Sequence, residues 1–302
     1  MGEVAGAGLL AHVPTIVLPE ATRRELNEGK EITLVTGLRQ LRQEVFDTVE
    51  HDAVIVLDSH WATTVEFVVT AQQHRAGLFT SEELPRGMCR MPYDFPGDQE
   101  LARAIAAKAG EHHTWITAID DPYLPIYYAT INLWTYLGLP EKPWLSIGVC
   151  QTGDMEDHLR LGRALGEAIR ESDRKVLLIA SGALSHTFWP LRELRDHESS
   201  DPAHIFSDGA RRADLERIAW FKAGDHARVL DTMPEFARYK PEAGFRHYLM
   251  LAGALGEGDC TAAARQYGEY ENSVGTGQAL LWFDRPEGGF PAPRPTVPAA
   301  SS

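Results

Sequence analysis

Cysteine is scarce. Cys89, Cys150 and Cys260 lie far apart, with no Cys-x-x-Cys spacing among them. That excludes a disulfide framework and a cysteine-rich zinc site, and it points to a reducing cytoplasm as the compartment. Basic residues are also few: 29 lysines and arginines stand against 43 acidic residues, for a net charge of −14. Such a chain lacks the cation density that neutralising phosphates requires and is repelled by anionic lipid, so neither nucleic acid nor a membrane is expected as a partner. No apolar run approaches the roughly 18 residues of a membrane span. The opening stretch, Met1–Pro14, has no basic n-region and no long apolar core, so no secretory signal is expected there. A Gly-x-Ser-x-Gly elbow is missing as well, which removes a serine hydrolase of that kind.

What is present is an ordinary globular composition, 302 residues with 44% hydrophobic and 24% charged side chains, enough to bury a substantial core. Short apolar runs alternate with segments of helical period. Ala53–Asp58, Trp144–Val149, Lys175–Ala180 and Gln278–Phe283 read as strands buried on both faces, and Val65–Thr70 as a further strand that could pair with the one before it. Thr36 reads as the N-cap of a helix with Leu38, Leu41, Val45 and Val49 on one side. Leu101, Ile105 and Ala109 mark a second helix, Leu161, Leu165 and Ile169 a third, and Leu215, Ile218, Phe221 and Val229 a fourth.

This alternation predicts one α/β domain over residues 1–284, a mostly parallel or mixed sheet covered by helices on both faces. Residues 285–302, rich in Pro, Gly, Ala and Ser, are expected to form a loose tail. Two further stretches have the composition of functional loops: Thr80–Arg86 continued by Met91–Gly97, and Asp120–Tyr128.

Ligands of open α/β sheets sit beyond the carboxyl ends of the strands, so histidines at strand ends are the first candidates for chemistry. His12 follows the apolar Gly8–Ala11, His60 follows the strand Ala53–Asp58, and His186 follows Lys175–Ala180 through a turn. By contrast, His112, His113, His158, His197 and His226 stand in polar contexts and are mostly expected in solvent. Any one strand-end histidine alone could be structural. Three of them, with a carboxylate, suit a zinc or a non-haem iron site. With 43 acidic residues, spacing singles out no carboxylate.

His12-Val-Pro14, Asp58-Ser-His-Trp61, Thr80–Pro85, Ala180-Ser-Gly-Ala-Leu-Ser-His186 and Gly275-Thr-Gly-Gln278 together resemble the class III (LigB-type) extradiol dioxygenases. Each segment alone is a weak signal; five in register, from about Gly2 to Phe283, are a strong one. The resemblance implies Fe(II)-dependent cleavage of a catechol or 2-aminophenol ring with O2, both oxygen atoms entering the product, in aromatic catabolism. It implies iron held by His12, His60 and Glu242, the last in Pro241-Glu-Ala-Gly-Phe-Arg-His247, with Glu235 as the rival carboxylate. It gives His186 the acid–base role and suggests a homo-oligomer or an assembly with a related subunit.

One position departs from several relatives: where they carry a second active-site histidine, Tyr128 stands here. A phenol donates a hydrogen bond but is a poor base at neutral pH, which fits the homoprotocatechuate and aminophenol subgroup better than the protocatechuate one. The alternative for Tyr128 is a packed core aromatic. Arg86, Arg90 and Arg246 are candidates for reading a carboxylate on the substrate. Two other functions compete: a zinc-dependent hydrolase on the same His/His/Glu set, and a non-catalytic subunit of the same superfamily.

Overall fold

The computed structural model describes residues 1–84 and 87–295. Its strands are β1 (Glu3–Leu10), β2 (Ala53–Thr63), β3 (Phe67–Thr70), β4 (His74–Phe79), β5 (Met91–Pro96), β6 (Ile116–Ile119), β7 (Trp144–Cys150), β8 (Lys175–Ser181), β9 (Ala264–Gln266), β10 (Glu271–Ser273), β11 (Thr276–Gln278) and β12 (Leu280–Asp284). Helices α1 (Glu20–Leu26), α2 (Thr33–Leu41), α3 (Gln99–Glu111), α4 (Tyr128–Leu137), α5 (Met155–Glu171), α6 (Asp208–Lys222), α7 (His226–Asp231), α8 (Met233–Phe236) and α9 (Arg246–Ala254) connect them.

Eight strands form one sheet in the order β6-β3-β7-β2-β8-β1-β12-β9. Parallel pairs β7/β2, β2/β8 and β8/β1 make its centre, and antiparallel β12 and β9 close one side, so the sheet is mixed. Alternate residues of each central strand enter opposite layers. Val54 and Val56 join Leu34, Leu38 and Ile131 of α2 and α4 on one face; Ala53, Ile55 and Leu57 join Leu101, Leu165 and Leu249 of α3, α5 and α9 on the other. A near-continuous apolar strand is what burial on both faces demands. The molecule is thus a single α/β domain. Helices α5 and α9 cross at Gly162 and Gly253, where a Cβ on either residue would fall 2.2 Å from a backbone carbonyl of the other helix.

Several local readings need correction. Val65–Thr70 does form a strand, but β3 pairs with β6 and β7, and β7 separates it from β2. The helix assigned an N-cap at Thr36 starts at Thr33, and its first N–H is met from afar by the Glu271 carboxylate at 2.6 Å. Leu215 faces solvent, and Val229 belongs to α7, because Gly224 at φ +71° ends the preceding helix and Asp225 caps the next. Met91–Pro96 is a strand despite its two prolines; in a two-stranded ribbon with β4, prolines are accommodated at the free edge. Gln278–Phe283 divides at Ala279 between β11 and β12.

The expectation of mostly solvated histidines holds for the exposed His113 and the half-buried His197 and fails for the other three. His112, His158 and His226 are buried. His158 donates from Nδ1 to the Asp154 carbonyl and accepts the Cys150 N–H on Nε2, and both ring nitrogens of His226 are engaged by Tyr248 and the Ala262 carbonyl. Polar sequence neighbours say little about a ring whose own polar atoms are satisfied inside.

Within the segment read as a tail, residues 285–295 are described, and they lie along the domain. Phe290 is buried, Arg170 donates to the carbonyls of Phe290 and Pro291, and Arg294 pairs with Asp259. Among the described residues, no helix is long and apolar enough to cross a membrane.

Candidate metal centre

The three strand-end histidines come from three neighbouring parallel strands, β1, β2 and β8, at their carboxyl ends. His12 follows β1 directly. His60 sits in a break of the β2/β7 ladder, whose register jumps from Asp58/Gly148 to Ala62/Val149 and pushes Ser59, His60 and Trp61 out of the pairing. Asp58, buried at the start of this bulge, holds its shape: one oxygen accepts the N–H groups of His60 and Trp61 at 2.9 Å, the other the Thr130 hydroxyl. Burial raises this carboxyl above its usual range, against those hydrogen bonds.

Glu242 arrives from a different part of the chain. Ser185 bridges to Pro241 beside β8, and the next residues turn sharply: Ala243, Gly244 and Phe245 all have positive φ, at 47°, 65° and 63°. Two non-glycine residues in that region cost energy and persist because the surroundings dictate them. Here the fully buried Phe245 and the start of α9 hold the turn, and Glu242 points inward.

His12, His60 and Glu242 each offer one donor atom, all within 4.8 Å of one another. Oε1 of Glu242 lies 3.5 Å from Nε2 of His12 and 3.7 Å from Nε2 of His60. Metal bonds of about 2.1 Å set neighbouring donors about 3 Å apart, so small side-chain movements would close this set on one ion. The protonation pattern fits as well. Ser181 commits its hydroxyl hydrogen to the Ala129 carbonyl at 3.1 Å, so it accepts from Nδ1–H of His12 at 2.9 Å and leaves Nε2 with a free lone pair.

Glu242 accepts the Ser59 hydroxyl at 2.6 Å and the Ala183 N–H, which fixes the carboxylate plane. Burial pushes His12 down to about 3, so the ring is neutral and available as a donor. Burial alone would raise Glu242, but the imidazoles of His12, His186, His60 and His247 outweigh it and hold the carboxyl well below its usual range.

His186 lines the same cavity as His12 and Glu242, and burial lowers its pKa, with Glu242 opposing. Its backbone is tied to the Lys240 carbonyl, next to the Pro241–Glu242 turn. Tyr128, the first residue of α4, is buried, with its hydroxyl on Nε2 of His60 and 2.9 Å from Glu83. It is therefore a polar group of the site and no mere packing aromatic. Burial and the Glu83 charge hold the phenol far above its ordinary pKa, so it stays protonated.

Glu235 is exposed on α8 and lies outside the cluster. Of the arginines considered for substrate reading, Arg90 and Arg246 do not line the cavity, and Arg86 lies outside the described residues.

Sequence reading passed over several supporting groups. Ser59 and Ser181 stand inside the quoted motifs, and that position was their only signal. Asp214 is buried and accepts the Ser185 N–H, the Ser185 hydroxyl and the Tyr270 hydroxyl, fixing the turn that carries His186. His247 is fully buried against Gly182, where any Cβ would meet its ring at 2.5 Å.

Over residues 6–279 the chain matches the family described as the catalytic LigB subunit of aromatic ring-opening dioxygenase. It is 27% identical over 261 residues to 3,4-dihydroxyphenylacetate 2,3-dioxygenase of Escherichia coli, covering 85% of this chain and 91% of that protein. It is 24% identical over 308 residues to the 2-aminophenol 1,6-dioxygenase beta subunit of a Pseudomonas species, covering 96% of each. A crystal structure of an uncharacterized protein from Escherichia coli K12 shares the fold, with a TM-score of 0.55 at 15% identity over 81% of this chain and 91% of the other. By a match that runs nearly end to end, this chain belongs to the LigB family of aromatic ring-opening dioxygenases.

Proposed function

We propose that the protein is an Fe(II)-dependent extradiol dioxygenase that opens a catechol or 2-aminophenol ring with O2. The observation that carries this reading is the convergence of His12, His60 and Glu242, from three distant parts of the chain, within 4.8 Å of one another, with His12 and Glu242 on the wall of a cavity of about 1000 Å³. Two imidazoles and one carboxylate on one side, with open space opposite, is the donor set of non-haem iron oxygenases. His12, His60 and Glu242 would hold the ion. Bound there, Fe(II) would supply electron exchange between ring and O2, chemistry that redox-inert zinc lacks.

The chain's own groups do the rest. Ser181, Ser59 and the Ala183 N–H orient the donors before anything binds, which keeps reorganisation small. His186 faces the cavity with a lowered pKa, so its free imidazole nitrogen is a base at neutral pH. It takes a hydroxyl proton from the ring and later returns it to a departing oxygen. Tyr128 is held as a neutral phenol and acts as a hydrogen-bond donor to an oxygen in the cavity. Leu18, Leu84 and Phe188 line the cavity and limit water around the reacting groups. Kinship with a protein named as a beta subunit supports assembly with a second copy or a related chain.

The test is anaerobic loading with Fe(II), addition of catechols and 2-aminophenols, then O2, following the yellow absorbance of a ring-opened product. The same His/His/Glu donors suit zinc, so metal content is measured alongside. A protein that holds zinc from its natural host, and opens no ring when iron-loaded, would overturn the proposal.

A further inference from the structure

The β10–β11 hairpin borders the metal centre. Gly277 exchanges backbone hydrogen bonds with Leu184 and Ser185, and the Ala279 carbonyl accepts the N–H of Ala11, next to His12. In the hairpin register Glu271 stands directly opposite Gln278, and Ser273 opposite Thr276. Directly opposed residues share a face of the ribbon, and all four line the cavity.

Two acceptors on this face have no partner. Thr276 gives its hydroxyl hydrogen to the Ser273 carbonyl at 2.7 Å, so the amide end of Gln278 that approaches it at 2.6 Å is the NH2 group. The Gln278 carbonyl oxygen is left with nothing to accept. Glu271 uses one oxygen on the Thr33 N–H, and the Thr33 hydroxyl and Leu34 N–H lie close enough to favour its charge; its other oxygen accepts no hydrogen bond of normal geometry. Both side chains are nine-tenths or more buried, at 4% and 1% exposure. Buried acceptors without donors are costly, and two side by side at the rim of a ligand site call for a donor from the ligand.

The charges agree. Glu25, Glu83, Glu198, Glu242 and Glu271 all line the cavity. Arg23 lines it too, but its guanidinium is engaged by both oxygens of Glu31 at 2.7 and 2.6 Å and by the Leu18 carbonyl. Among the described lining residues that leaves Arg195, which is exposed. Burial raises the Glu271 carboxyl, a cost that a nearby positive group would offset.

We propose that Glu271 and Gln278 read the substrate: their two open oxygens accept hydrogen bonds from an ammonium or hydroxyl substituent on the ring. The enzyme therefore prefers a neutral or cationic aromatic to one bearing a carboxylate. This rests on the ring-cleavage reading and deepens it, and it sets the chain apart from its relative named for an arylacetate.

The experiment is anaerobic calorimetric titration of the Fe(II)-loaded protein with 4-(2-aminoethyl)catechol, 4-methylcatechol and 3,4-dihydroxyphenylacetate, followed by O2. The amine should bind about tenfold or more tighter than the carboxylate, the scale of a hydrogen bond to a charged group. Glu271→Gln should erase the amine's advantage over 4-methylcatechol. Because Glu271 also caps α2, Gln278→Leu provides a second variant that leaves the cap in place; it should lower the same ratio severalfold. Equal or tighter binding of the carboxylate, or a loss shared equally by all three ligands in the variants, overturns this inference while ring opening continues. If none of the three binds and none is opened, the ring-cleavage reading falls and takes this one with it.

Discussion

The Tyr128 hydroxyl contacts Nε2 of His60, the same nitrogen that faces Glu242 Oε1 at 3.7 Å. The phenol also lies 2.9 Å from Glu83 Oε2, and it has one hydrogen for two partners. If Tyr128 donates to Glu83, His60 carries its proton on Nε2; if Tyr128 donates to His60, the Nε2 lone pair is taken. In both arrangements the bond must yield before that nitrogen can ligate an ion.

Tyr128→Phe removes this competition and keeps the ring. Iron content after anaerobic loading is expected to equal or exceed that of the natural protein, while turnover falls by about tenfold or more with the loss of a hydrogen-bond donor. Loss of iron from the variant would show that the phenol supports the metal site instead.

The donor residues and His186 should separate cleanly. His12→Ala, His60→Ala and Glu242→Ala are each expected to lose both bound iron and ring opening, since two donors hold an ion poorly. His186→Ala should retain iron and lose on the order of 10²-fold in rate. Iron analysis beside steady-state kinetics tests both, and normal turnover in the His186 variant would remove it from the mechanism.

Asp214 touches no substrate-facing group, yet it holds the turn before His186. Asp214→Ala leaves the Ser185 N–H, the Ser185 hydroxyl and the Tyr270 hydroxyl without their acceptor. A loss of about 3 kcal/mol in unfolding free energy is expected, together with a lower kcat. A denaturant melt unchanged from the natural protein would contradict this account.

Stability should fall on mild acidification. Burial pushes His158 and His247 down to about 4, whereas an unfolded imidazole titrates near 6.5. Between those values the unfolded chain takes up protons that the folded protein refuses, so each ring costs about 1.4 kcal/mol per pH unit as pH drops from 6.5 towards 4. Asp214 acts oppositely: burial raises it to about 6, so its protonation favours the folded state below that pH. Asp58 and Glu271, also raised by burial, act in the same sense as Asp214, but the lowered imidazoles of His12, His51, His158, His186, His226 and His247 outnumber these three carboxyls. Urea unfolding at pH 7.5 and pH 5 should show the lower midpoint at pH 5, and a midpoint that rises would refute the argument.

Much of this molecule was legible in one dimension. Runs such as Ala53–Leu57 and Val176–Ala180 are apolar at every position because strands covered on both faces must be, and that pattern alone implied a helix-covered sheet. Strand ends are equally visible, and so His12, His60 and His186 stood out. The expectation that neither nucleic acid nor a membrane is a partner came from charge balance, which depends on composition and not on shape.

Glu242 carried no such mark. Its position depends on left-handed residues at Ala243, Gly244 and Phe245 and on hydrogen bonds from Ser59 and the Ala183 N–H, none of which a local pattern encodes. The buried states of His158 and His247, the Asp214 support and the open acceptors of Glu271 and Gln278 were likewise settled by tertiary contacts. Periodicity reports which face of an element is buried. Whether a polar group finds a partner there depends on residues far away in sequence, and only packing brings those together.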